Sequence, residues 1–247
     1  MGDGNDHVNI RFKDEDSIDL GAGDDTVNFS QGLFADNIDY DDVPDLANLQ
    51  MLKLDGGLGK DTLDFGIGGS DNLTLTIAGA TNFENIWGSN NSDTIEGDSN
   101  NNVLFGSSGD DVIYGYAGND TLGSFLRGNN GNFYTQDDFG NDKLYGGEGN
   151  DQLAGGSGDD VLEGGKGLDI LEGDRWNGGS GDCTNCSTDP NGGSDTFVIS
   201  PGDGNIVLAS TNIIKDFEDN KDLILLAGGL TFNNLPIEQG TDSYASH

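Results

Sequence analysis

The chain has 247 residues, 42 of them glycine, and only 33% are hydrophobic; Lys plus Arg total 10 against 45 Asp plus Glu, for a formal net charge of −35. A polyanion without a basic stripe repels phosphate, which excludes a nucleic-acid partner. The absence of any run of 18 apolar residues argues against a transmembrane segment. Low hydrophobicity with high net charge is also the composition of disorder, unless something neutralises the charge.

Residues 1–29 hold weak repeats, GDGNDHVN, DEDSIDL and GAGDDTVNF, with Asp6, Asp16 and Asp25 in equivalent places. Met1 is followed directly by this repeat-like stretch, so no signal peptide is visible and the start reads as a cut inside a longer array. The stretch 33–54 is less regular, with a short helical turn expected after Pro44. GGLGKDTLD at 56–64 is a good repeat centred on Asp61. From Ile67 the alternation of polar and apolar residues predicts a half-buried strand pair.

From Gly88 four nonapeptides follow without a gap: GSNNSDTIE, GDSNNNVLF, GSSGDDVIY and GYAGNDTLG. After an interruption four more run from Asp137: DDFGNDKLY, GGEGNDQLA, GGSGDDVLE and GGKGLDILE. A short fixed period marks one supersecondary unit stacked on itself. Positions one to six are small or polar residues that form tight turns. Position eight is apolar: Ile95, Leu104, Ile113, Leu122, Leu144, Leu153, Leu162 and Leu171. Three residues make a short strand with its central side chain turned inward. One turn and one strand cannot close a coil, but two of each can, so a coil should take 18 residues.

That geometry stacks position six in pairs: Asp93 over Asp111, Asn102 over Asp120, Asp142 over Asp160, Asp151 over Asp169. Stacked carboxylates repel, and a cation between them relieves the repulsion. Carboxylates and inward-turned carbonyls form the hard oxygen cage that suits Ca²⁺. Zinc would ask for His or thiolate. Residues 124–136 (SFLRGNNGNFYTQ) read as a loop, and the step from Asp120 to Asp142 reads as four residues more than a clean coil.

After Gly173 a polar insertion, 174–191, contains Cys183 and Cys186. A local loop disulfide, free thiols and metal binding are its three readings, in that order. GGSDTFVIS then places Asp195 at position six. The tail Ile214–Leu226 predicts a strand-rich cap, as solenoid ends require, with Asp216 and Asp222 as further candidate ligands. His7 and His247 lie far apart, and neither H-E-x-x-H nor G-x-S-x-G occurs, so no catalytic motif is present. Trp87 and Trp176 read as covers of a core, with sugar stacking as the alternative.

The pattern G-G-x-G-x-D-x-U-x, with U a large apolar residue, resembles the RTX, or hemolysin-type calcium-binding, nonapeptide repeat. The resemblance implies an all-β fold, a right-handed parallel β-roll with loop insertions and a C-terminal strand-rich cap. It also implies ions held between same-side turns by two position-six side chains and by carbonyls near positions two and four. Carried over, one site takes Gly147, Gly149 and Asp151 with Gly165, Gly167 and Asp169. Another takes Gly156, Gly158 and Asp160 with the turn around Gly140 and Asp142. Gly109 and Gly118 belong to the corresponding turns beside Asp111 and Asp120. The site of Asn102 is expected to be weaker.

Glu84-Asn85-Ile86-Trp87-Gly88 resembles the spacer phrase that leads into such rolls, and the tail I-K-D-F-E-D-N-K-D-L-I-L-L resembles the segment that follows them. The expected divisions are 1–87 degenerate repeats and spacer strands, 88–123 and 140–173 roll blocks, 124–139 and 174–191 insertions, and 192–247 terminal repeat and cap. The implied function is calcium-triggered folding of a bacterial protein, secreted or at the cell surface, exported by type I machinery. The alternatives are the secretion and stability region of a larger enzyme, or an adhesin segment that contacts a cell surface or glycan. About eight ions would bring the net charge from −35 to roughly −19.

Overall fold

The structure is a computed structural model. It describes residues 2–9, 17–28, 53–64, 74–75, 80–123, 126–127, 133–134, 140–174, 193–203, 212–214, 217 and 221–231. The turn expected after Pro44, Asp16, Trp176, Cys183, Cys186, Asp216 and His247 lie outside them. Among the described residues all regular structure is strand, and the strands form a parallel β-roll.

The chain alternates between two faces. One is a single nine-stranded sheet, in spatial order His7–Asn9, Thr26–Asn28, Thr62–Asp64, Asn85–Trp87, Val103–Phe105, Thr121–Gly123, Gln152–Gly156, Ile170–Asp174 and Ile213–Ile214. The other face holds a seven-stranded sheet from Thr74–Leu75 through Thr94–Glu96, Val112–Ala117, Lys143–Glu148, Val161–Lys166 and Thr196–Ile199 to Leu223–Leu226. Ser17–Asp19, Lys53–Asp55 and Ala80–Thr81 form a separate three-stranded parallel sheet. The only antiparallel pairing among the described residues is a hairpin of Leu126–Arg127 with Phe133–Tyr134, inside the insertion.

Register follows from position eight. On one face Leu63, Ile86, Leu104, Leu122, Leu153, Leu171 and Ile214 oppose one another in succession. On the other, Leu75, Ile95, Ile113, Leu144, Leu162, Phe197 and Ile224 do the same. A slip of one residue would turn each ladder to solvent, so the pairing is strongly specified. Ile95, Leu104, Ile113, Leu144 and Leu162 are fully buried, worth about 1.5–3 kcal/mol each. The core is one side chain deep from each face.

Three expectations need correction. Asp142 stacks on Asp111, 31 residues back, and Asp120 meets Asp151. Consecutive repeats lie on opposite edges nine residues apart, so the step from Asp120 to Asp142 exceeds its due by the 13 residues 124–136, not by four. The half-buried pair expected after Ile67 is not a pair: Thr74–Leu75 joins Thr94–Glu96, while Ala80–Thr81 joins Lys53–Asp55. Asn85–Trp87, expected in a spacer, is an ordinary rung between Thr62–Asp64 and Val103–Phe105. In keeping with the strand-rich cap expected of the tail, Ile213–Ile214 and Leu223–Leu226 are strands, and they extend the two sheets by a further coil because Ile214 and Ile224 continue both apolar ladders.

Candidate metal centre at the turn edges

Each turn places position six at the start of a strand, pointed into the roll. Asp25, Asp61, Asp93, Asn102, Asp111, Asp120, Asp142, Asp151, Asp160, Asp169 and Asp195 are all at most 2% exposed. Asp6, at the first coil, is half-buried. The side chains do not face one another as opposed carboxylates. Instead, except at Asp6, Asp93 and Asn102, each Oδ1 accepts the backbone N–H of the rung before it, which supplies part of the relief that a cation was expected to give alone.

On one edge the bonds run Asp6 to Asp25, Asp25 to Asp61, Asn102 to Asp120, Asp120 to Asp151 and Asp151 to Asp169, at 2.7–2.9 Å. On the other they run Asp93 to Asp111, Asp111 to Asp142, Asp142 to Asp160 and Asp160 to Asp195, at 2.7–3.0 Å. The insertions interrupt neither column.

The second carboxylate oxygen gives the edge its chemistry. Oδ2 of Asp25, Asp61, Asp120, Asp151 and Asp169 is buried and takes no hydrogen bond. A buried ionised oxygen without a partner is costly, and a cation or a proton must satisfy it. Burial pushes the carboxyl of Asp120 up to about 7, against the amide of Asn102 and with help from Asp151 and Asp98. Burial likewise carries Asp169 to about 6, opposed by the Asp151 amide. Asp151 and Asp61 are raised for the same first reason.

Position one explains its glycine. A Cβ on Gly146 or Gly164 would lie 2.5 Å from Oδ2 of Asp151 or Asp169. The cradle that a Cβ would fill stays open to the orphan oxygen. Positions two and four turn the chain through the left-handed region: Gly147 and Gly149 at φ 110° and 142°, Gly165 and Gly167 at 91° and 140°, Gly156 and Gly158 at 109° and 133°. Gly109 and Gly118 do so at position four, at 107° and 124°. Successive turns touch there: a Cβ on Gly167 would collide with the carbonyl of Gly149, and one on Gly158 with that of Gly140.

Both proposed ligand groups are therefore brought together, Asp151 with Asp169 and Asp142 with Asp160. Among the described residues no three His, Cys, Asp or Glu side chains converge. Any ion at these edges must take backbone oxygen as well as carboxylate, which suits Ca²⁺ and not Zn²⁺. Buried orphan oxygens over an open glycine cradle fit such an ion.

Sequence reasoning missed three things. Glu84 occupies a rung, its Oε2 accepting the Asp61 amide at 2.9 Å; it lies nine residues before Asp93, the signal that could have found it. Asn212 accepts from Asp169, and Asp222, weighed earlier only as a ligand, accepts from Asp195. Position five forms a second ladder in the opposite sense: the amides of Asn119, Asn150 and Leu168 donate to the side-chain oxygens of Asn101, Asn119 and Asn150, each at 2.8 Å.

A family model for the RTX calcium-binding nonapeptide repeat matches residues 13–32, 87–122 and 137–175, in four copies. The chain carries RTX calcium-binding repeats. The match spans both uninterrupted runs and stops at the insertions, where the period fails. The RTX repeat is a structural, non-catalytic unit that binds Ca²⁺. No curated protein matches the chain.

Proposed function

We propose that the chain folds when calcium binds at the turn edges of its RTX roll, with Asp25, Asp61, Asp120, Asp151 and Asp169 as carboxylate ligands. Turn carbonyls near Gly147, Gly149, Gly165 and Gly167 complete the shell at Asp151 and Asp169. Asp111, Asp142, Asp160 and Asp195, with carbonyls near Gly109, Gly140, Gly156 and Gly158, serve the opposite edge. The observation that carries this reading is the buried second oxygen, repeated rung after rung without a donor.

The physical role follows from charge. A net charge of −35 drives the compact state apart, and each bound ion returns two positive charges at a buried place. Binding free energy then becomes folding free energy, because the unfolded chain has no preformed site. Extracellular calcium modules have Kd of about 10⁻⁴–10⁻³ M, far above cytosolic free calcium. RTX proteins are typically secreted by bacteria, and a chain that stays open inside the cell is a competent substrate for type I export. No helix among the described residues is long and apolar enough to cross a membrane.

Far-ultraviolet circular dichroism with and without EGTA tests the proposal. The β signal should collapse on chelation and return with millimolar Ca²⁺ but not with equal Mg²⁺. An unchanged spectrum after exhaustive chelation would refute it.

A further inference from the structure

The rungs are not equivalent, and the difference lies in the sign of one backbone angle. Where position two is left-handed, at Gly21, Gly57, Tyr116, Gly147 and Gly165, the rung of that turn keeps a buried oxygen without a donor: Asp25, Asp61, Asp120, Asp151 and Asp169. In the turns 88–93 and 97–102 no residue is left-handed. There the position-two amide turns inward and donates to its own rung. Ser89 N–H reaches Asp93 Oδ2 at 2.6 Å while the Ser89 hydroxyl reaches Oδ1 at 3.1 Å. Asp98 N–H reaches Asn102 Oδ1 at 3.0 Å.

That last bond fixes the amide's orientation. Asn102 Nδ2 is left buried and without a partner, so this rung presents a donor where its neighbours present an acceptor. A cation is repelled there. One repeat earlier, one oxygen of Glu84 accepts the Asp61 amide, and Asn85 ties the same strand down through Asp61 O at 3.2 Å and Thr62 Oγ1 at 3.3 Å. Glu84 is only half-buried, and none of the three consecutive rungs at 84, 93 and 102 leaves a buried acceptor oxygen without a donor.

We infer that residues 84–102 form a metal-free belt dividing the acidic rungs into two separate calcium arrays, one around Asp25 and Asp61 and one from Asp111 to Asp195. This rests on the calcium reading above and corrects the assignment of Asp93 and Asn102 as ligands. The belt holds its coil by hydrogen bonds alone, and each array loads on its own side of it.

The test counts calcium bound at saturation to the full 247-residue chain, by equilibrium dialysis and elemental analysis. Asp93→Asn keeps an acceptor for Ser89 and should bind as many ions as the parent. Glu84→Gln, on the other edge, should do the same. Asp151→Asn should bind at least one ion fewer. A lower count in Asp93→Asn or Glu84→Gln, with the parent's dichroism spectrum in calcium, overturns the belt. If Asp93→Asn fails to fold, Glu84→Gln decides alone. A parent chain that takes up no calcium overturns the calcium reading and the arrays with it, whereas an ion lost in Asp93→Asn or Glu84→Gln overturns only the belt.

Discussion

The coil at 88–105 and the coils at 140–174 share period, register and core, yet they satisfy their buried polar groups differently. In the first, serine and asparagine side chains and inward amides close the turns. In the second, glycine at positions one, two and four brings backbone against backbone and leaves Asp151 and Asp169 with an oxygen that none of the described residues serves. A glycine-rich turn is therefore an incomplete structure that an ion completes, and a Ser/Asn turn is a complete one. Both sit on the same apolar ladders, so the contrast can be probed without changing the fold.

The largest effect should come from filling the contact between turns. Gly167 has φ 140°, and its Cβ would overlap the Gly149 carbonyl. Gly167→Val should cost more than about 3 kcal/mol, combining left-handed strain with overpacking, and abolish cooperative melting even in excess calcium. Asn100→Ala, at the same position four but on a backbone that is not left-handed, should cost about 1 kcal/mol through the lost Asp98 bond at 2.9 Å. Melting curves in saturating Ca²⁺ measure both. Equal losses would show that the turns do not differ in the way described.

Next in size is the core. Leu162 is fully buried in its ladder, whereas Leu225 is 48% exposed at the last strand. Leu162→Ala should cost about 2–5 kcal/mol and Leu225→Ala no more than about 0.5 kcal/mol, by urea titration in calcium. A comparable loss at Leu225 would mean that its face is covered.

The pH response should have opposite signs with and without metal. Asp120 rises from 3.8 to about 7 because it is buried. In chelator its protonated form favours the roll, so that contribution is present below about pH 4 and is lost as pH rises through about 7. With calcium present, protons compete for the same oxygen, and the ion concentration at half-saturation should increase as pH falls from 8 to 6. Calcium titrations followed by circular dichroism at several pH values read this directly; a pH-independent midpoint would place Asp120 outside the binding group.

Much of the fold was legible because the nonapeptide writes its period twice: Leu104 and Leu122 are 18 residues apart and face each other, as spacing alone required. Insertions hid the rest. Asp120 and Asp151 are partners across 31 residues, and a period broken by SFLRGNNGNFYTQ does not announce where it resumes. The site was legible in its acidic residues and not in its bonding. Position six reads as a carboxylate in any sequence, but whether its second oxygen is served depends on the φ of a residue four places earlier. Ser89 and Ser107 are the same amino acid at the same place, and only the second is left-handed, at 83°.

Those two serines give the finest discrimination. At Ser107 the side chain stands on a left-handed backbone, which costs a non-glycine residue about 1–2 kcal/mol, and its hydroxyl bond to the Gly88 carbonyl is long, at 3.4 Å. Ser107→Gly should therefore stabilise the chain by about 0.5–1 kcal/mol, the relief of strain exceeding the loss of a weak bond. At Ser89 nothing is left-handed and the hydroxyl holds a buried carboxylate at 3.1 Å. Ser89→Gly removes that bond and adds backbone freedom to the unfolded chain, so it should destabilise by about 1–2 kcal/mol. Identical substitutions at equivalent positions should shift the midpoint of thermal unfolding in opposite directions. A shift of the same sign in both would mean that the two turns share one backbone conformation, and with it that Asp93 and Asp111 stand in the same relation to metal.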